Sequence, residues 1–270
     1  MSLNQKVVFL HIPKSAGTSF HLLLTRHFGD QEVCPIRNRR IDQMDDSTLA
    51  SYRLFSGHYF FNQVERIPEP KIMLTILREP KSRIMSLYNF HRSFRSDRIP
   101  NIVALGYDSP RYAKELTLVE YLRCPDYSVR VNTDNAITRY LVGLDFADSN
   151  GQWIVSDDTA LNLALTRLQT FDGIGLVEKA QQSLRKFETI LSLSFPEQMP
   201  FHNDFASLSL RSDFEKVEPA VIDDQAEEEL ERMTRIDQKV YAWAAENFFA
   251  PDDICPQRPF EKPLSHFVTC

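Results

Sequence analysis

Residues 7–20 read VVFLHIPKSAGTSF, and the reading of this stretch decides the fold. Val7-Val8-Phe9-Leu10-His11-Ile12 is a short apolar run with β-branched and aromatic members. Such a run predicts a buried strand of a parallel sheet. Pro13 stops it, Lys14-Ser15-Ala16-Gly17-Thr18-Ser19 follows, and an apolar helical pattern starts at once with Phe20, Leu22, Leu23 and Leu24. A strand, a loop of small residues and a helix N-terminus are the physical recipe for holding a phosphate. Loop N–H groups converge on the anion, the helix dipole adds a favourable field, and small side chains let the backbone approach. Lys14 brings a mobile full charge, and Thr18 and Ser19 bring hydroxyl donors. The stretch is not G-x-x-x-x-G-K-[ST], because Lys14 precedes Gly17 and no second glycine lies upstream. Its shorter loop suits one phosphate better than a triphosphate. The same residues also suit a plain strand-to-helix turn with a solvated lysine and a threonine cap.

Residues 71–95, KIMLTILREPKSRIMSLYNFHRSFR, supply the context. Ile72 to Leu77 predicts a second strand with Arg78 at its C-terminal end. Pro80 suits the first turn of a helix that runs on through Ile84, Leu87, Tyr88 and Phe90. Ser86 falls about two turns beyond Arg78. Arg78 and Ser86 together can grip a second phosphate; singly they read as a surface cation and a neutral helix serine. A third stretch, Tyr52 to Phe61, predicts a strand ending at Gly57, followed by His58. A histidine with its ordinary pKa near 6.5 can accept an alcohol proton at about neutral pH. It equally suits a structural position at a strand end.

P-K-S-A-G-T-S after the first strand and R-E-P-x-x-R-x-x-S-L-Y after a later one resemble the two cofactor signatures of sulfotransferases that use 3′-phosphoadenosine 5′-phosphosulfate (PAPS). The form of both is similar to the branch containing heparan sulfate 2-O-sulfotransferase and its bacterial relatives. That resemblance covers residues 7–95 well and 130–250 loosely. It implies a P-loop-like α/β sulfotransferase fold, PAPS as cofactor and PAP as product. Lys14, Ser15, Ala16, Gly17, Thr18 and Ser19 would hold the 5′-phosphosulfate. Arg78 and Ser86 would hold the 3′-phosphate, and His58 would be the catalytic base. Lys14 would also stabilise charge developing on the leaving oxygen, as fixed cations do in phosphoryl transfer. The acceptor it implies is a hydroxyl on a carbohydrate or glycolipid, with another lipid or a small alcohol as alternatives. A P-loop-type kinase of a nucleotide or small alcohol and a non-catalytic nucleotide-binding protein are the rival classes. The first would need magnesium, and the second would keep the fold without turnover.

The chain has 270 residues, 43% hydrophobic and 25% charged, an ordinary globular balance. The expected organisation is one α/β domain over residues 1–250 and a C-terminal tail over 251–270. A net charge of −6 argues against general nucleic-acid binding. No apolar run approaches the ~18 residues of a membrane span, and Pro13 and Lys14 interrupt any signal-like segment. Animal members of the resembled family carry an anchoring segment, so the resemblance, with no such segment here, implies a cytoplasmic, bacterial form. Cys34, Cys124, Cys255 and Cys270 are scattered without C-x-x-C or zinc-like spacing, so no metal is expected.

Elsewhere, Ile36 to Arg40 is a basic cluster that reads as a solvated loop or as a rim attracting an anionic acceptor. Tyr59, Phe60 and Phe61 suit an acceptor pocket or the core. Ser93 to Pro110 is expected to be an irregular, basic loop bordering the acceptor site. Asn132 to Val142 predicts helix, with Asn135 and Arg139 either touching acceptor or forming a buried network. Further expectations are a helix over Ala160 to Leu168, a strand over Phe171 to Glu178 and a helix over Lys179 to Leu193. A loop over Pro196 to Arg211 and one final helix over Gln225 to Phe249, capped by Asp223 or Asp224, complete the pattern. Alternation of strands and helices gives a central parallel sheet flanked by helices. Lys14, His58 and Arg78 then share the C-terminal edge where such sheets bind ligands.

Overall fold

The structure is a computed structural model that describes residues 5–197 and 212–249. Most of the loop expected at 196–211, with His202 and Asn203, and the tail at 251–270, with Cys255 and Cys270, lie outside the described residues.

Four parallel strands form one sheet in the order β2-β1-β3-β4. They are β1 (Lys6–Leu10), β2 (Leu54–Gly57), β3 (Lys71–Leu77) and β4 (Gly173–Leu176). In register, Val7 pairs with both Leu54 and Ile72, and Leu74 pairs with Gly173. The chain leaves β1 for β2 on one side and returns to β3 on the other. The strand order therefore reverses at β1, which opens a crevice beyond the C-terminal ends of these strands.

Alternation along β1 explains why it is apolar throughout. Val8 and Leu10 enter one core, and Val7 and Phe9 enter the other. The Val7/Phe9 face is covered by α1 (Gly17–Thr25) and α11 (Ala180–Leu191), where Phe20 meets Phe187 with ring centroids 4.9 Å apart. α1 starts poorly, because Ala16 is left-handed (φ 56°) and provides no side-chain cap. That start costs about 1–2 kcal/mol. Burial of Phe20, Leu23 and Leu24, each on the order of 2 kcal/mol, outweighs it.

The first helices after α1 are α2 (Asp46–Ser51), α3 (Phe61–Glu65) and α4 (Pro80–Arg92). α4 begins at Pro80 and is capped by Glu79, whose carboxylate accepts from the N–H groups of Lys81 (3.0 Å) and Ser82 (2.7 Å). Next come α5 (Ile99–Ala104), α6 (Ser109–Glu115), α7 (Leu118–Arg123), α8 (Tyr127–Thr133) and α9 (Ala136–Val142). α10 (Asp157–Leu168) precedes β4. A third core, built on Ile84, Tyr88, Tyr121, Leu122, Val129 and Leu230, packs α4 against α6, α7, α8 and the later helix Asp224–Thr234. It forms the wall of the crevice.

Two expectations need correction. The helix over Gln225 to Phe249 is two helices, α12 (Asp224–Thr234), capped by Asp223, and α13 (Asp237–Phe248). Asn135 causes the break. Its Oδ1 accepts from the N–H groups of Ile236 (2.7 Å) and Asp237 (3.1 Å), and its own N–H donates to Met233 O (2.7 Å). These bonds replace the helical ladder. Asn135 also splits α8 from α9 at φ 49°, a left-handed value that asparagine tolerates. The break places the buried Asp237 carboxylate at the start of α9, where it accepts from Ile137 N (3.0 Å) and Thr138 N (2.8 Å). The segment from Ser93 to Pro110 is likewise not irregular throughout. It holds α5, with Pro100 in the first turn where its missing N–H is harmless.

Candidate functional site

The loop after β1 is shaped by two left-handed residues, Lys14 (φ 67°) and Ala16 (φ 56°). Neither is glycine, and such strain persists where the surroundings enforce it, commonly at functional sites. Alternating hand along a loop points successive N–H groups to one side and makes an anion-binding nest. Gly17 is obligatory for another reason. A Cβ there would lie 1.9 Å from Cδ2 of His11, whose ring fills the space beneath the loop. Gly57 is similarly fixed, since its Cβ would lie 2.6 Å from Arg37 O.

A cleft of about 1220 Å³ opens over this loop. Lys14, Ala16, Gly17, Thr18 and Ser19 line it, with His58, Arg78 and Ser86. The structure thus brings together the sequence-predicted residues with one exception. Ser15 is fully buried beside the cleft, its Oγ has no partner among the described residues, and its N–H donates to Ile12 O (3.3 Å). Turning inward at the left-handed Lys14 takes this side chain away from the opening.

Arg78 ties the two motifs together, its Nη1 donating to Lys14 O (3.4 Å) while its buried Nε has no partner among the described residues. Lys14 Nζ rests 3.9 Å from the centroid of the Phe90 ring. Burial, and then the Arg78 charge, push its pKa down to about 7. An unsatisfied guanidinium N–H favours an incoming anion, and an anion placed beside Lys14 would raise its pKa again.

His58 N donates to Arg37 O (2.8 Å), and its Nδ1 lies 2.7 Å from His11 O. A carbonyl only accepts, so Nδ1 carries the proton and Nε2 keeps a free lone pair. Burial pushes the His58 pKa down to about 4, with Arg37 and Lys14 adding to the fall and the bond to His11 O opposing it. The ring is a neutral acceptor at physiological pH.

Beyond His58 the cleft is lined by Asn38, Arg39, Arg40, Phe60, Tyr127, Asn132 and Tyr140. Phe60 stacks on Tyr140 (4.8 Å, 18°), and Arg39 Nη1 donates to Tyr127 OH (3.3 Å). The basic cluster is therefore a rim of the cleft. Of the three aromatics only Phe60 lines it; Tyr59 and Phe61 belong to the core. Asn135 and Arg139 are buried away from it, Arg139 binding Asp134 O (2.7 Å) and its carboxylate (2.8 Å). From the segment Ser93 to Pro110 only Leu105, Gly106 and Tyr107 reach the opening, while Arg95 and Arg98 pair with Asp97 and Asp213.

Three residues at this site escaped sequence reasoning. His11 lies against His58 with ring centroids 4.1 Å apart, and burial holds it neutral. Tyr107 binds the buried His91 through a 2.7 Å bond to Nε2. Lys81 also lines the cleft. His11 had a signal in its place within the opening stretch, and Tyr107 in the segment expected to border the acceptor site. Among the described residues no group of three or more His, Cys, Asp or Glu is placed to hold a metal, and no helix is long and apolar enough to cross a membrane.

These features define an α/β protein in which the loop after β1, His58, Arg78 and Ser86 meet in one cleft at the sheet edge. Comparison with known proteins sharpens the class. The model of the sulfotransferase family matches residues 1–133, just under half of the chain. A protein-tyrosine sulfotransferase from Arabidopsis thaliana is 29% identical over 118 residues, covering 42% of this chain and 23% of that protein. The chain thus matches about a quarter of that relative's length. A crystal structure of mouse sulfotransferase SULT7A1 complexed with PAP shares 13% identity over 90% of this chain and 86% of the other, with a TM-score of 0.43. Nothing assigns the heparan sulfate branch.

Proposed function

We propose that the protein transfers the sulfonate of PAPS to a hydroxyl of a carbohydrate, lipid or small-alcohol acceptor. The observation that carries this reading is the meeting of Lys14–Ser19, His58, Arg78 and Ser86 in one cleft at the strand-order reversal. When bound, PAPS supplies an electrophilic sulfur and a phosphate leaving group. The loop amides at 16–19 and the Thr18 and Ser19 hydroxyls hold the 5′-phosphate. Arg78 and Ser86 hold the 3′-phosphate, with the unpartnered Arg78 Nε as a ready donor. His58 Nε2 accepts the acceptor hydroxyl proton while Nδ1–H stays on His11 O. Lys14 leaves its place over Phe90 to meet charge on the leaving oxygen. Arg39 and Arg40 give the acceptor end a basic rim that favours a negatively charged acceptor.

Calorimetric titration with PAP, 5′-AMP and ATP·Mg, on wild type and Arg78→Ala, tests the cofactor assignment. Tight PAP binding that collapses in Arg78→Ala, with weak 5′-AMP binding, is expected. A preference for ATP, or binding indifferent to Arg78, would favour the kinase reading instead.

A further inference from the structure

Lys81 stands beside the site in a configuration that the assigned roles leave unused. It precedes Ser82 on α4, and Lys81, Ser82 and Ser86 line the cleft together with Arg78. Ser82 and Ser86, four residues apart, share a helix face. The Lys81 ammonium, however, points across to α12, where it pairs with Glu227 and with Glu231 Oε1 (3.2 Å). Glu227 is the one carboxylate among the described residues lining the cleft. A carboxylate facing a site for a multiply charged anion is repulsive unless a cation neutralises it.

We propose that Lys81 is a further contact to the cofactor's 3′-phosphate, held by Glu227 and Glu231 in the free protein and exchanged to the phosphate on binding. The inference rests on the cofactor reading given above. The exchange is easy on three counts. The lysine side chain is 25% exposed and its partners 46% and 67%, and pairs this solvated are weak. The ammonium is a compact charge on a flexible four-carbon stem, free to swing without moving α4. A phosphate carries about −1.5 to −2 charge and three strong acceptor oxygens, more than either carboxylate alone offers the ammonium. Glu79 caps the α4 N-terminus and accepts from the N–H groups of Lys81 and Ser82, so these amides cannot replace the side chain as donors.

PAP and 5′-AMP titrations of Lys81→Met, Lys81→Arg and Glu227→Gln test the exchange, with thermal melts to monitor folding. Lys81→Met should weaken PAP by about tenfold, the scale of one charge-assisted contact, and leave 5′-AMP unchanged. Lys81→Arg should retain most of the affinity. Glu227→Gln should strengthen PAP binding by about threefold, because it removes both the competitor and the repulsion. A merely structural pair predicts something different: both Lys81→Met and Glu227→Gln melt lower, and neither moves PAP affinity. That result overturns this inference while leaving the cofactor assignment intact. Wild type indifferent to PAP overturns both.

Discussion

On the proposed cofactor reading, Lys14 makes PAP binding proton-linked, and the linkage follows from its surroundings. In the free protein burial and the neighbouring Arg78 hold its pKa at about 7, against an ordinary 10.5. At pH 8 roughly a tenth of the molecules then carry the charge. Binding a polyanion beside Nζ favours the ammonium and returns its pKa toward the ordinary value. Binding at pH 8 should therefore take up about 0.9 proton, and PAP affinity should fall by nearly tenfold per pH unit between about pH 8 and 10. The sign follows from which state holds the proton. The complex binds more protons than the free protein above pH 7, so raising pH favours the free protein. His58, starting from about 4, adds little at pH 8. Phosphate groups, whose second pKa is near 6, are already ionised there. Titration calorimetry in two buffers of different ionisation enthalpy reads the proton count directly. Lys14→Arg should bind PAP with no buffer dependence, because a guanidinium stays charged throughout. Wild-type binding whose enthalpy ignores the buffer would refute the assignment of Lys14 to the phosphate.

Replacing His58 by Ala should lower turnover by about 10²–10⁴-fold while PAP affinity stays within a few-fold; equal loss of both in titration and rate assays would move His58 to binding. Gly17→Ala puts a Cβ where the His11 ring sits, so PAP titration should show binding largely lost, and unchanged affinity would contradict the packing argument. Asn135→Ala removes the acceptor for two buried N–H groups at the start of α13. Chemical denaturation should show a loss of about 2–3 kcal/mol, and a loss below 0.5 kcal/mol would mean water replaces it. Acid should destabilise the fold through its buried histidines. Burial holds the pKa of His21 at about 4 and of His91 at about 3. Since the unfolded chain binds protons near 6.5 first, stability should fall as pH drops from about 6.5 toward 4. Calorimetric melts should show a shallower decline for His91→Gln than for wild type, and identical slopes would contradict this.

The parts of the molecule legible in the sequence are those set by short-range pattern. β1, β3 and the starts of α1 and α4 follow from apolar runs meeting Pro13 and Pro80. Their order places Lys14, His58 and Arg78 at one edge before any coordinates are needed. What stayed illegible depends on long-range contacts. No local signal in α12 and α13 announces that Asn135, about a hundred residues earlier, breaks them apart. Ser15 and Ser19 look equivalent in the loop, yet the left-handed turn at Lys14 sends Ser15 inward. Arg139 and Arg39 both read as candidate acceptor contacts; the first meets Asp134 inside the protein and the second opens onto the cleft. Lys81 reads as a solvated helix residue until the fold sets it opposite Glu227.

The electrostatics of the site also resolve an opposition in the composition. The chain as a whole carries a net charge of −6, but the cleft lining holds Lys14, Arg39, Arg40, Arg78 and Lys81 against the single carboxylate of Glu227 among the described residues. A concave surface with low-dielectric walls focuses such local charge, so an anion is drawn in whatever the total charge of the molecule. The same field has a second effect on the histidines. Burial first, and then Arg37 and Lys14, disfavour a proton on both His58 and His11. On the proposed reading His58 must be unprotonated before it can act, and burial is the main cause that keeps it so, with Arg37 and Lys14 adding to it. On the same reading a polyanion beside Lys14 offsets that cation's part of the repulsion, so anion binding raises the basicity of His58 without any movement of the backbone.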